Sequence, residues 1–191
     1  MREIHLYVTD VSSYAYCKAR PFLNRWLEAK PPLLRRIRIL LGKIWHFLMQ
    51  FGAEGVCEDP VILTFEYPEA KVIVHGRVDN YYSNDDGSVT VVEYKSGRMR
   101  RNKTAWPSDM VQVGGYALAL ESRGLKVSDC LIHYRNGVVQ VDPNVCMELF
   151  RKHLDEMVRY ILCNALPDVK PSGGKCRRCQ YREVCLRLYV E

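Results

Sequence analysis

At 191 residues and 48% hydrophobic, the chain can bury one sizeable core without disulfide staples, which excludes the small cysteine-framework class and predicts a single domain. The 28 Lys and Arg against 22 Asp and Glu leave +6, unevenly placed: residues 18–43 hold eight basic residues and one acid, residues 95–103 five basic residues and none. Acids gather between Glu54 and Glu93, a pattern that suits a protein holding a polyanion while coordinating cations, and equally a set of separate solvated faces.

The first twenty residues lack a charged start, an apolar run and a small-residue cleavage site, so nothing indicates secretion and a cytoplasmic location is expected. A short extended piece opens the chain. A helix follows with Thr9 as N-cap and Val11, Tyr14, Leu23 and Trp26 at helical spacing, interrupted by Pro21 and carrying Cys17 near the end of its first part. Pro31 and Pro32 mark a new start, and residues 33–52 contain too many basic residues for a bilayer span, so they predict an amphipathic helix and no membrane association. Its apolar stripe, Leu34, Ile37, Leu41, Ile44, Leu48 and Phe51, is expected to face inward. At about 100° per residue His46 falls with Arg35, Ile39 and Gly42 on the opposite side.

"VILTFEYP" and "AKVIVHGRVDNYY" predict strands, and the turn cluster "SNDDGS" joins the second of these to "VTVVEYKSG" as a hairpin. "DMVQVGGYALALESRG" predicts a helix with a glycine stop; Gly114 and Gly115 weaken it unless a strand or a nucleic-acid backbone must come close. "CLIHYRNGVVQVD" predicts two strands around an Asn136-Gly137 turn, and a last long helix runs from Pro143 to about Ala165. A Pro/Gly-rich link then leads to "KCRRCQYREVC".

The chemistry concentrates in the hairpin. If Ser83 pairs with Val89 across a five-residue loop, Asp79 lies opposite Glu93, and alternation puts Lys95 on the face of Glu93. Two oxygen ligands held together bind Mg²⁺ or Mn²⁺, ions that also accept phosphate oxygens, and an adjacent Lys can position water or stabilise a phosphoryl transition state. The alternative is a structural cross-strand ion pair, worth about 0.2–1 kcal/mol. "CRRCQYREVC" supplies three closely spaced thiols and needs one remote partner, for which Cys17, Cys57, Cys130, Cys146 and Cys163 are available. Cys130 and Cys146 sit in apolar company, the usual setting of an inert thiol.

"GKIWH", "GRVD", "EYK" and "QVGGY", in that order and separation, resemble the four motifs of the RecB-like branch of the PD-(D/E)XK nuclease superfamily. The resemblance implies an α/β, restriction-endonuclease-like core, a mixed central sheet flanked by helices. It implies Asp79, Glu93 and His46 as ligands of Mn²⁺ or Mg²⁺, Lys95 as catalytic, and Gln112 and Tyr116 beside the site and DNA. One cysteine before these motifs and three after them resemble the iron–sulfur nucleases, CRISPR-associated Cas-four exonucleases and AddB-type nuclease domains. That likeness selects Cys17, Cys176, Cys179 and Cys185 as ligands of a four-iron or two-iron cluster, with Arg177, Arg178 and Arg182 aimed at DNA.

The expected organisation is one nuclease domain over 1–191, with an N-terminal helical part (1–52), a nuclease core (60–165) and a cysteine segment (170–191) docked on Cys17. The implied function is metal-dependent DNA cleavage, chiefly exonucleolytic on single strands. Its use would be in trimming DNA for CRISPR spacer acquisition, with the CRISPR integrase proteins as partners. Alternatives are a RecB-like nuclease of repair or recombination and a non-catalytic iron–sulfur or zinc DNA-binding module.

Overall fold

The computed structural model describes residues 1–27, 37, 40–42, 44, 45, 48, 49, 54–170, 173–177 and 179–190. Six strands form one mixed sheet: β1 (Arg2–Tyr7), β2 (Val56–Glu66), β3 (Ala70–Ser83), β4 (Val89–Tyr94), β5 (Val127–Tyr134) and β6 (Gly137–Val141). β1 is parallel to β3 and β4 to β5, while β2–β3, β3–β4 and β5–β6 are antiparallel. The short extended opening of the chain is thus a strand of the main sheet.

β3 has fourteen residues and three partners, which a strand with two edges can have only by dividing one of them. β2 runs along β3 from Lys71 to Tyr81. The other edge bonds β1 over Ala70–His75 and β4 over Asn80–Ser83, leaving residues 76–79 at the fork between them. The observed hairpin register pairs Ser83 with Val89, the pairing anticipated from the turn.

Helices α1 (Val8–Tyr16), α2 (Arg20–Leu27), α3 (Pro107–Glu121) and α4 (Pro143–Leu162) accompany the sheet. Pro21 lies in the first turn of α2, where its missing N–H costs nothing, so the proline starts a helix instead of interrupting one. The N-cap of α1 is Tyr7, whose amide donates to Asp10 Oδ2 at 2.9 Å, and Thr9 falls inside the helix. α4 begins at Pro143 behind an N-cap, Asp142, that accepts the Asn144 amide at 2.8 Å.

One core is built from Ile4, Leu6, Val8, Val11 and Tyr14 at the amino end, Val61, Val72, Val74 and Val91 from the sheet, and Leu120, Phe150 and Leu154 from the helices. A second, smaller cluster joins Ala19 and Leu23 to Tyr181 and Cys185, with Cys17, Cys179 and Tyr189 packed against it. It joins α2 to the last of two C-terminal helices, α5 (Gly173–Cys176) and α6 (Arg182–Val190). Tyr181 Oη also donates to Asn24 Oδ1, and Lys175 Nζ to the Tyr16 carbonyl at 3.0 Å.

One expectation is reversed. Ile37, Leu41, Ile44 and Leu48, predicted to face inward, are 46–61% exposed, while Leu34 and Phe51 lie outside the described residues. The described positions from 37 to 49 are helical, so the periodicity marks an amphipathic helix correctly. It carries no information on whether anything within the chain covers the apolar side.

The paired glycines of α3 serve helix packing. A Cβ on Gly114 would stand 2.0 Å from the Cys146 carbonyl oxygen, so the backbone of α4 itself lies against α3 and no side chain fits between. Gly114→Ala is expected to destabilise the fold by about 1–3 kcal/mol, the range for an overpacked core. Chemical denaturation of the variant and of Gly124→Ala, where a Cβ meets nothing but φ is +86°, would separate the steric effect from backbone strain.

Candidate active site

The fork in β3 positions the acids. The register continues past Asn80↔Val92 to set Asp79 across from Glu93, and both side chains are buried, Glu93 to 2% exposure. Asp79 Oδ2 accepts the Tyr94 amide at 2.9 Å, closing the end of the β3–β4 ladder with a side chain. Beyond β4 the chain stays extended: the Lys95 amide donates to the His133 carbonyl at 2.8 Å, carrying the lysine alongside β5.

Lys95 Nζ lies 2.7 Å from Glu93 Oε1 and 3.8 Å from Asp109 Oδ1. It also donates to Gln112 Oε1 at 2.7 Å. Gln112, from α3, returns its Nε2 to Glu93 Oε1 at 2.8 Å and to the Tyr116 hydroxyl at 3.2 Å. The structure therefore brings five predicted residues together: Asp79, Glu93, Lys95, Gln112 and Tyr116. His46, the predicted third metal ligand, lies outside the described residues.

Glu93 Oε1 receives two donors, whereas its buried Oε2 has no hydrogen-bond partner. An unsatisfied buried oxygen is costly, more so on a carboxylate, and two hard oxygen donors side by side are the ligand type of Mg²⁺ and Mn²⁺. A divalent cation fits this donor set. Among the described residues no three His, Cys, Asp or Glu side chains surround a common metal position, so the pair supplies two ligands.

Burial raises the pKa of Glu93 most; Lys95 opposes it and the Asp79 carboxylate adds to it, leaving the group above the ordinary carboxylate value. For Lys95 burial alone would lower the pKa, but the Glu93 and Asp109 carboxylates outweigh it and the ammonium is held charged. Burial, then Glu93 and Asp79, push the Tyr116 phenol far above its usual range, so it stays a neutral hydrogen-bonding group.

Sequence reasoning missed two supports. Asp109 faces Lys95 and accepts the Tyr134 hydroxyl at 2.7 Å, and Tyr134 in turn accepts the Trp106 amide at 3.1 Å. In the sequence Asp109 is only an acid in a first helical turn, a common placement that signals no site. Glu58 is the other: it sits opposite Asp79 on β2, between the pairs Cys57↔Asn80 and Asp59↔Val78, at φ +55°.

Cys17, Cys179 and Cys185 meet in the smaller apolar cluster, but among the described residues no three of the thiols surround a common metal position. Cys17 caps α1, Cys176 ends α5, Cys179 follows with its amide donating to the Cys176 carbonyl at 3.1 Å, and Cys185 is buried on α6; all are free thiols. Burial, then the charges of Cys17, Cys176 and Cys179, raise the Cys185 thiol, so the three act on it together. Cys130 and Cys146 are buried in the main core, the latter pushed by burial to about 12, and Cys57 and Cys163 are exposed. Arg177 is exposed; Arg178 lies outside the described residues.

The raised Glu93 pKa fixes the sign of a pH effect. Its proton leaves the unfolded chain first, so without metal the native state loses stability as pH rises from the ordinary carboxylate value, 4.5, through the higher folded one. Melting temperatures across that window should fall in wild type, fall less in Glu93→Gln, and recover on adding Mn²⁺ because the ion binds the deprotonated pair.

The model of the PD-(D/E)XK nuclease superfamily matches residues 7–186. The chain is 28% identical over 183 residues to a CRISPR-associated exonuclease Cas4/endonuclease Cas1 fusion of Leptospira interrogans, which covers 92% of this chain and 32% of the relative. It is 29% identical over 189 residues to the corresponding fusion of Myxococcus xanthus, 90% of this chain and 30% of the relative. The chain thus spans about a third of the length of these curated relatives. The crystal structure of SSO0001 superposes with a TM-score of 0.54 at 15% identity, covering 95% of this chain and 85% of that one, a likeness of fold. With a match that runs almost end to end and takes in β2, β3 and β4 around Asp79, the chain belongs to the PD-(D/E)XK nuclease superfamily.

Proposed function

We propose that this chain hydrolyses DNA phosphodiesters with a divalent metal, chiefly as an exonuclease on single strands. The observation that carries the reading is the buried Asp79–Glu93 pair with a partnerless Glu93 Oε2 beside Lys95. Asp79 and Glu93, with His46 as the third ligand, would hold Mn²⁺ or Mg²⁺. When bound, such an ion neutralises charge on the phosphate and lowers the pKa of an attacking water. Lys95, held charged, donates to the phosphate oxygen on which charge develops as water attacks phosphorus and the bond to the leaving oxygen breaks. Gln112 keeps Lys95 and Glu93 in register, being bonded to both. Gln112 and Tyr116 are themselves buried, so their effect on DNA is exerted through the groups they hold.

Cys17, Cys176, Cys179 and Cys185 are the proposed ligands of an iron–sulfur cluster of the four-iron or two-iron kind, fastening the two ends of the chain together and placing Arg177 and Arg178 near DNA. The packing of Cys17 and Cys179 against the small cluster that holds Cys185 supports this reading. The likeness to Cas4/Cas1 fusions supports a role in trimming DNA for CRISPR spacer acquisition beside an integrase.

Wild type purified without oxygen is expected to contain iron and sulfide and to degrade single-stranded oligonucleotides in Mn²⁺. Asp79→Ala should lose that activity by roughly a hundredfold or more, as removal of a transition-state contact does. Unchanged degradation by Asp79→Ala would remove the catalytic reading. Cys185→Ala should lose iron and melt at lower temperature; a colourless wild type with stoichiometric zinc would replace the cluster by a zinc site.

A further inference from the structure

A cavity of about 500 Å³ opens between the helical positions at Leu41, Gly42 and Trp45 and the ends of β4 and β5, where it is lined by Ser96 and Arg135. Ser96 is the chain neighbour of Lys95, so the cavity begins one residue, about 3.8 Å along the backbone, from the lysine of the active site. Its floor is fixed by the sheet, since the Arg135 amide donates to the Gly97 carbonyl at 3.0 Å. Gly42 faces Ser96 with only ordinary contact distance to spare for a Cβ, 3.6 Å to the hydroxyl, so a side chain of any length there would fill the space.

The lining has a chemical character. Leu41 and the Trp45 indole are apolar walls, and the Arg135 guanidinium stands over the indole at 5.7 Å from its centroid. Trp45 Nε1 is shielded from solvent and has no hydrogen-bond partner. Trp106 differs: Arg100 also stands over its ring, at 5.8 Å, yet its Nε1 donates to the Arg98 carbonyl at 2.8 Å. Among the described residues, an apolar wall with a guanidinium and a hydroxyl selects a flat group rich in acceptors, and the volume lies in the range of small-molecule sites.

We propose that this cavity is a nucleobase pocket, which takes one base of the strand next to the bond being cut. The base packs on Leu41 and the indole, while its ring or carbonyl acceptors meet the Arg135 guanidinium and the Ser96 hydroxyl. This places one nucleotide beside Lys95 and makes Trp45 and Arg135 positioning residues. The inference rests on the nuclease reading for the path of the strand, and binding can be measured without cleavage.

The test uses single-stranded oligonucleotides carrying 2-aminopurine at successive positions from one end, bound in Ca²⁺, and a matching series with one abasic site, digested in Mn²⁺. Wild type should quench 2-aminopurine at one position, and an abasic site there should slow digestion about tenfold, the size of one lost base stack. Trp45→Ala and Arg135→Gln should lose both the quenching and the abasic penalty; Arg135 is exposed, so its substitution leaves folding intact. No quenched position in wild type, or quenching that survives Arg135→Gln, would overturn the pocket. Quenching without any digestion by wild type would sink the nuclease reading and leave the pocket standing.

Discussion

Two carboxylates and an ammonium are held out of water at the place where β3 changes partners, and this arrangement constrains everything around it. Charges in such a position are costly unless every lone pair and proton is matched, and removing one partner of a buried pair typically costs about 3–5 kcal/mol. Here Gln112 spans Lys95 and Glu93, Asp109 backs the lysine, and the Tyr94 amide engages Asp79. The matching stops at Glu93 Oε2. That oxygen belongs to the carboxylate beside Asp79, and no N–H reaches it.

The fork has a topological cause. A continuous ladder between β3 and a single neighbour would place backbone where the acids now converge. Because β1 leaves β3 at His75 and β4 joins it at Asn80, the intervening positions keep β2 on one side and are open on the other. α3 reaches that opening with Gln112 and Tyr116, and at Gly114 the backbone of α4 packs against it.

The cysteine-bearing chain ends follow a different logic. The four cysteines are divided between them, and the cluster of Ala19, Leu23, Tyr181 and Cys185 that accompanies them is small. So little apolar area does not hold two chain ends together strongly, and the hydrogen bonds from Tyr181 to Asn24 and from Lys175 to Tyr16 add only modestly.

The sequence by itself determined the strand and helix types, the hairpin register and the pairing of Asp79 with Glu93 and Lys95. These depend on short-range rules: a five-residue loop, alternation along a strand, a period of 3.6 along a helix. It also separated the inert core thiols Cys130 and Cys146 from those near the chain ends. What it left undetermined is all long-range. That Asp109 and Glu58 stand near the acids, that Gly114 admits a helix backbone and not a strand or DNA, and that Ile37, Leu41, Ile44 and Leu48 face outward depend on which elements meet. Periodicity specifies a face and spacing specifies a neighbour along the chain, but only the packed sheet and helices decide what lies across from either.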